Sequence, residues 1–322
     1  MIANSGEYRK KNGQRGYVMM NNFIFENKTK VYFGKGGVKE YLGGLLANFG
    51  ETVMLAYGGG SIKCNGVYDE IMGILNAQGK CVVEFSGIMS NPTYAKVQDG
   101  AKLARENHVD LILAVGGGSV SDCCKVISGA FDTLSHAMET YFGKPDENNL
   151  SDDINEAVMR SVIRNIRILL TDPENYDARS ELAQASAMAE NGVLKIGKVT
   201  DFQAHQIQHQ LGAYTNRNHG AGLAVIHPVL YRHIYKSGAA RFARFAQNVW
   251  GIAPKGSDGE TAAGIDALAA FIKEIGLPTS FAELGIPADT DFRAVADSTN
   301  ITAGCCKKLT HDEIYEILQE CL

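Results

Sequence analysis

No apolar stretch in these 322 residues is long enough to cross a bilayer. Positive charge is not in excess either: 31 Lys and Arg face 36 Asp and Glu, a net charge of -5. A basic footprint for nucleic acid or an anionic membrane is therefore missing, and neither is expected as a partner. No C-x-x-C occurs, and the seven cysteines are an odd count with two adjacent pairs, Cys123-Cys124 and Cys305-Cys306. That pattern argues against a disulfide framework and for a reducing, cytoplasmic setting. The first 18 residues are polar and basic, with Arg9, Lys10, Lys11 and Arg15, and contain no apolar core. A secretory signal is not expected there; residues 1–20 are expected to be a disordered leader or a start read too far upstream. Sequence repeats and low-complexity tracts are absent as well.

What is present is ordinary for a soluble globular chain: 45% hydrophobic and 21% charged residues. The length suits two domains. From about residue 30 to 130, short apolar runs alternate with helical stretches. Val31-Tyr32-Phe33, Thr52–Tyr57, Cys81–Phe85 and Leu111–Val115 read as strands. Helices are expected at 38–49, 67–77 and from Asn91-Pro92 to Glu106, the last opening on an N-cap with proline at the first helical position. Such alternation implies βαβ units and a parallel sheet over residues 21–130. After Phe131 the pattern turns helical, with helices expected at 153–170, 176–197, 202–213, 221–235, 261–275 and 311–321. Residues 131–322 read as an all-α domain. The change falls at Ala130-Phe131 with no linker-like sequence.

Two glycine clusters sit where a strand gives way to a helix: Gly58-Gly59-Gly60-Ser61 and Gly116-Gly117-Gly118-Ser119. Glycine lets backbone approach a phosphate, and helix N-termini favour anions. In open α/β sheets the ligand crevice lies at these strand ends. Neither cluster is a G-x-G-x-x-G fingerprint, so tight turns that need positive φ are the plain alternative.

Histidine supplies the second signal. Asp132 and His136 stand four apart, as do His205 and His209, so each pair shares one helix face. His219 follows just before Gly220. One carboxylate with imidazoles is a ligand set for first-row divalent metals, and Fe, Zn, Mn, Ni and Co all remain open at this point. His108, His233 and His311 read as scattered residues, and His227, before Pro228, as a buried structural one. Methionines and aromatics at helical spacing in this half read as core.

These residues together resemble the iron-containing alcohol dehydrogenases, particularly their butanol dehydrogenase branch. The matching stretches are YGGGSIKCNGVYDEI from Tyr57, SNPTYAKVQDG from Ser90, LAVGGGSVSDCCK from Leu113, and FDTLSHAMETYF paired with DFQAHQIQHQLGAY and NHGAGLA. The resemblance covers nearly all of residues 21–322. It implies a Rossmann-like α/β domain with a parallel sheet followed by an all-α metal-binding domain, the dehydroquinate synthase-like architecture, with the active site in the cleft between them. The metal ligands it implies are Asp132, His136, His205 and His219, for one divalent ion, Fe2+ or Zn2+. His209 matches a histidine near the nicotinamide, suited to proton relay. Gly117, Gly118, Ser119 and Asp122 match the pyrophosphate turn, and Asn91 and Pro92 the adenine side. Gly58, Gly59, Gly60 and Ser61, with no acid among them, imply NADP(H) rather than NAD(H). The activity implied is hydride transfer between NADP(H) and an alcohol or aldehyde, butanol and butanal being examples, in a homodimer.

One departure stands out. The family places several dozen residues between the helix after GGGSxxD and the FDTLSH helix, where Ser128-Gly129-Ala130 here runs straight into Phe131-Asp132. A catalytically impaired metal- and nucleotide-binding relative is therefore one alternative reading. A lyase on the same scaffold is another, with the metal-site pattern against it.

Overall fold

The computed structural model describes residues 23–88, 94–116, 123–145, 148–253, 258–302 and 306–322. Two compact units divide the chain: Lys28–Val126, and Ile127–Leu322 together with the described residues before Lys28.

In the first unit the order is α1 (Gly37–Leu46), β1 (Thr52–Tyr57), α2 (Ser61–Cys64), α3 (Val67–Ala77), β2 (Cys81–Phe85), α4 (Tyr94–Glu106) and β3 (Leu111–Val115). Among the described residues the three strands form one parallel sheet in the order β2-β1-β3. β1, TVMLAY, is buried along almost its whole length, as a central strand of a parallel sheet must be. Val53, Leu55 and Tyr57 point to one side, where Leu46 of α1 and Ile71 and Leu75 of α3 complete the core. α3 starts where Gly66 adopts a left-handed φ of 80°, with Asp69 and Glu70 in its first turn facing the positive end of the helix dipole.

Val31-Tyr32-Phe33, expected as a strand, is not one: all three are exposed, and no ladder partner lies beside them among the described residues. A strand exists only through its neighbour's hydrogen bonds, and local β propensity does not supply one. The expected helix over 38–49 is shorter, ending at Leu46.

The second unit is helical: α5 (Cys123–Tyr141), α6 (Leu150–Thr171), α7 (Tyr176–Glu190), α8 (Gln203–Thr215), α9 (His219–Ile234), α10 (Ala239–Asn248), α11 (Asp258–Glu274), α12 (Phe292–Ser298) and α13 (His311–Glu320). Ala130-Phe131, where the sequence pattern changes, falls inside α5 rather than between elements, and both residues are buried. The helix expected over 176–197 stops at Glu190, because Gly192 turns left-handed at φ 88° and only a short 3-10 turn follows. α6 opens on a capping box in which Asn149 and Asp152 each accept the other's backbone N–H.

Two sets of contacts fix the helices that matter for the site. The Ala204 amide donates to Glu139 Oε1 at 2.6 Å and the Asp201 amide to the Glu139 carbonyl at 3.0 Å, joining α5 to the start of α8. Lys198, its side chain fully buried, donates to the Tyr141 carbonyl at 3.0 Å and to Asp152, whose other oxygen takes Arg241 at 2.7 Å. Buried charges are tolerated only when paired in this way.

Candidate metal centre and glycine turn

α5 presents Asp132, His136 and Glu139 along one face, at i, i+4 and i+7. α8 presents His205, with Gln208 and His209 one turn on. α8 begins from Phe202, held at a left-handed φ of 56°, and ends where Asn216 is left-handed at 53°. A short turn leads to Asn218, whose side chain caps α9 by accepting the Ala221 amide at 2.9 Å. His219 is therefore the first residue of α9, aimed back toward α5. Gly220 makes that approach feasible, since a Cβ there would stand 2.1 Å from the Ser128 carbonyl oxygen of α5. Strained backbone at Phe202 beside the site fits a place where geometry is over-determined by its surroundings; the Phe202 ring lies 5.4 Å from His136 and 5.0 Å from His205.

Asp132, His205 and His219 each offer a donor atom within 4.8 Å of the others. Asp132 Oδ1 is 3.4 Å from His205 Nε2, 3.5 Å from His219 Nε2 and 3.7 Å from His136 Nε2. His136 Nε2 is 3.1 Å from His205 Nε2. Donors bound to one ion at ~2.0–2.2 Å sit ~3–3.5 Å apart, so the spacing suits a metal. Asp132 Oδ1 is buried and makes no hydrogen bond among the described residues, although three imidazoles surround it. Exposure grades across the site, from 3% for the His205 side chain to 28% for His219 and 31% for Asp132, so it opens to one side.

The outer nitrogens orient the rings. His205 Nδ1 pairs with the Glu139 carboxylate, and His219 Nδ1 with Gln208 Oε1. Each Nδ1 is thereby tied to an acceptor and each Nε2 faces Asp132, the orientation that metal-binding histidines adopt. His136 differs: its Nδ1 is buried without a partner, and its Nε2 also lies 2.8 Å from Glu190 Oε1 at the end of α7. His209 is not part of the donor group; its ring stacks on His219 at 5.3 Å and 19°.

Electrostatics follow from this packing. Burial alone would raise the Asp132 carboxyl, but the imidazoles of His205 and His219 outweigh it and hold the group well below the usual carboxylate range. Burial and then the His205 charge push His136 down to about 4. Burial disfavours charge on His205 too, yet the Glu139 carboxylate and Asp132 raise it to about 9. His209 is lowered by burial and by His219 and His205.

Sequence reasoning missed Glu139, Gln208, Glu190 and Phe202. Glu139 and Gln208 were within reach of it, since each lies three residues beyond a site histidine on the same helix face. Glu190 and Phe202 arrive from other elements and carry no sequence signal. His227 is fully buried, with Nε2 2.6 Å from Ser135 Oγ. His233 pairs with Glu320, and His311 donates to the Thr299 carbonyl.

In the first unit, Gly58-Gly59-Gly60-Ser61 follows β1 directly. None of these glycines has positive φ. A Cβ on Gly58 would come within 3.1 Å of the Ile88 carbonyl, while one on Gly59 or Gly60 would meet nothing within 4 Å. The chain itself therefore requires glycine at neither Gly59 nor Gly60. The residues Asn91, Pro92, Gly117, Gly118, Ser119 and Asp122 lie outside the described residues.

The chain matches known proteins along most of its length. Residues 126–322 match the family model for the C-terminal part of the Fe-containing alcohol dehydrogenase family, and residues 28–157 that for iron-containing alcohol dehydrogenase. The chain is 30% identical to the probable NADH-dependent butanol dehydrogenase 2 of Bacillus subtilis, over 94% of this chain and 100% of that one. It is 26% identical to the NADPH-dependent aldehyde reductase YqhD of Escherichia coli, over 83% and 90%. Its fold matches the crystal structure of NADH-dependent butanol dehydrogenase A from Thermotoga maritima with a TM-score of 0.86, at 26% identity, covering 95% of this chain and 100% of that one. The alignment with the Bacillus protein extends over 392 positions, more than this chain has residues, so that relative carries several dozen residues without a counterpart here.

Proposed function

The chain belongs to the iron-containing alcohol dehydrogenase family, and from that premise we propose that it moves a hydride between NADP(H) and a primary alcohol or aldehyde such as butanol or butanal. The observation that carries the metal half of this reading is Asp132 Oδ1, buried without a hydrogen bond among the described residues and facing the Nε2 atoms of His136, His205 and His219. Those four residues would hold one divalent ion, Fe2+ or Zn2+. A metal there supplies Lewis acidity to the substrate oxygen.

The remaining work belongs to the protein. Glu139 and Gln208 orient His205 and His219 by pairing with their Nδ1 atoms. His209, stacked on His219, takes the alcohol proton during oxidation and returns it during aldehyde reduction. The chain would hold and orient a nicotinamide cofactor, which would supply the hydride chemistry.

Preference for NADP(H) rests on the Gly58–Ser61 turn. NAD-specific sites place a carboxylate near the ribose 2′-hydroxyl, and this turn holds none. Open space at Gly59 and Gly60, the Ser61 hydroxyl and the Lys63 ammonium suit a 2′-phosphate. The catalytically impaired alternative rests only on the several dozen residues that the Bacillus relative has and this chain lacks. The test is butanal reduction after loading with Fe2+ or Zn2+, with kcat/KM compared for NADPH and NADH. A higher value with NADPH is expected; a higher value with NADH defeats the cofactor assignment, and no turnover with either defeats the reaction.

A further inference from the structure

Four side chains from four successive elements meet beside the glycine turn. Tyr57, the last residue of β1 and 4% exposed, directly precedes Gly58. Its hydroxyl donates to Glu84 Oε2 at 2.5 Å. Tyr68, in the first turn of α3, donates to the other oxygen, Oε1, at 2.6 Å. Glu84 sits on β2 opposite Leu55 of β1. Both carboxylate oxygens are thereby tied to rigid aromatic side chains. Lys63 of α2 completes the group: its Nζ is 3.5 Å from Glu84 Oε2, 4.5 Å from the Tyr68 ring centroid and 5.4 Å from that of Tyr57.

The cluster is a poor stabiliser. Lys63 and Glu84 side chains are 48% and 40% exposed, and exposed ion pairs of this kind add little. What it does is place a cation. A lysine on the surface ordinarily samples many rotamers, whereas two ring faces and a fixed carboxylate confine this ammonium to one spot and leave part of it open to solvent. That spot is at the carboxyl end of the central strand, where open α/β sheets take their ligands. Two tyrosine hydroxyls also spend the charge of Glu84, which would otherwise repel an anion arriving at the turn.

We propose that Glu84, with Tyr57 and Tyr68, is a positioning residue for cofactor choice: it holds the Lys63 ammonium beside the Gly58–Ser61 turn, where it reads the 2′-phosphate of NADP(H). This rests on the reading above that the turn receives that end of the cofactor.

The experiment compares Lys63→Met, Glu84→Gln and Tyr68→Phe in the full, metal-loaded chain. It reads KM for NADPH and NADH, and dissociation constants for 2′,5′-ADP and 5′-AMP. Lys63→Met should weaken NADPH and 2′,5′-ADP on the order of tenfold, the weight of a charge-assisted hydrogen bond, and change NADH and 5′-AMP less than about twofold. Glu84→Gln should lose the same selectivity with kcat unchanged. Tyr68→Phe, which keeps the ring and removes one hydroxyl, should do so more weakly and covers the case in which Glu84→Gln fails to fold. Equal losses for both cofactors in the Glu84 and Tyr68 variants, or none, overturn the proposal while leaving the reading of the turn intact. If Lys63→Met itself spares NADPH and 2′,5′-ADP, that reading fails first and the proposal with it.

Discussion

Replacing Gly220 by alanine should dismantle the metal centre from behind. A Cβ at this position would stand 2.1 Å from the Ser128 carbonyl oxygen and 2.8 Å from its carbon. Even a favourable carbon–oxygen contact settles near ~3.3 Å, so α5 and α9 would have to separate by about 1 Å. Both contacting groups are helix backbone, with no flexible side-chain end to swing away. His219 is the neighbouring residue and would travel with Gly220, away from Asp132 Oδ1 at 3.5 Å. Overpacking of this kind costs ~1–3 kcal/mol, and a ~1 Å displacement at a reacting group ~100-fold in rate. Gly129→Ala is the matched control. It lies in α5 one residue after Ser128, and its Cβ would meet nothing within 4 Å. Exchange of glycine for alanine inside an exposed helix face gains up to ~1 kcal/mol. The assay is metal per chain by elemental analysis after loading, alongside the thermal midpoint. Gly220→Ala should lose metal and midpoint together, and Gly129→Ala should keep both. Wild-type metal content with an unchanged midpoint in Gly220→Ala would refute the idea that this contact sets the position of His219.

Three further outcomes follow from the same geometry. Elemental analysis should find His205→Ala stripped of metal and His209→Ala still loaded but slow; equal loss in both would erase the distinction between ligand and relay. Gly59→Asp should move kcat/KM toward NADH, because a carboxylate then occupies the open space at the turn; an unchanged NADPH-to-NADH ratio would count against the turn as the 2′-phosphate site. His227 is fully buried, and burial depresses its pKa to about 4 against an ordinary 6.5. Because the unfolded chain binds that proton more readily, the stability from neutral His227 is complete above pH 6.5 and is lost as pH falls toward 4. The loss is ~2 kcal/mol by pH 5, so urea midpoints of wild type should fall between pH 7.5 and pH 5 by more than those of His227→Gln. Parallel falls would rule the linkage out.

The α/β half was legible because its strands are short apolar runs between turn residues: β1, β2 and β3, and α3 over Val67–Ala77, lie where the pattern puts them. Val31-Tyr32-Phe33 has the same composition and no neighbour to pair with, which is a property of the assembled chain and not of three residues. α10 and α12 went unread, and α7 was overextended because a single left-handed glycine, Gly192, ends it. At the site, helical spacing brought Asp132 near His136, and the fold places Asp132, His205 and His219 in one donor group. Spacing along one helix cannot say which imidazole has a partner for its second nitrogen. That knowledge needs Glu139 beside His205 and Gln208 beside His219 in space.

The position of β1 has a consequence for how this unit breathes. β1 is paired along both sides, whereas β2 and β3 each pair on one side among the described residues. Amide hydrogen exchange should therefore be slowest along Val53–Tyr57 and faster at both margins of the sheet, since a margin can fray while β1 keeps its other ladder. The last of these slowly exchanging residues, Tyr57, is the one from which the glycine turn departs, and the Gly87 amide bonds back to the Gly58 carbonyl at 2.9 Å. The turn is thus mounted on the part of the unit that opens least, and local fluctuations at the sheet margins leave its root in place.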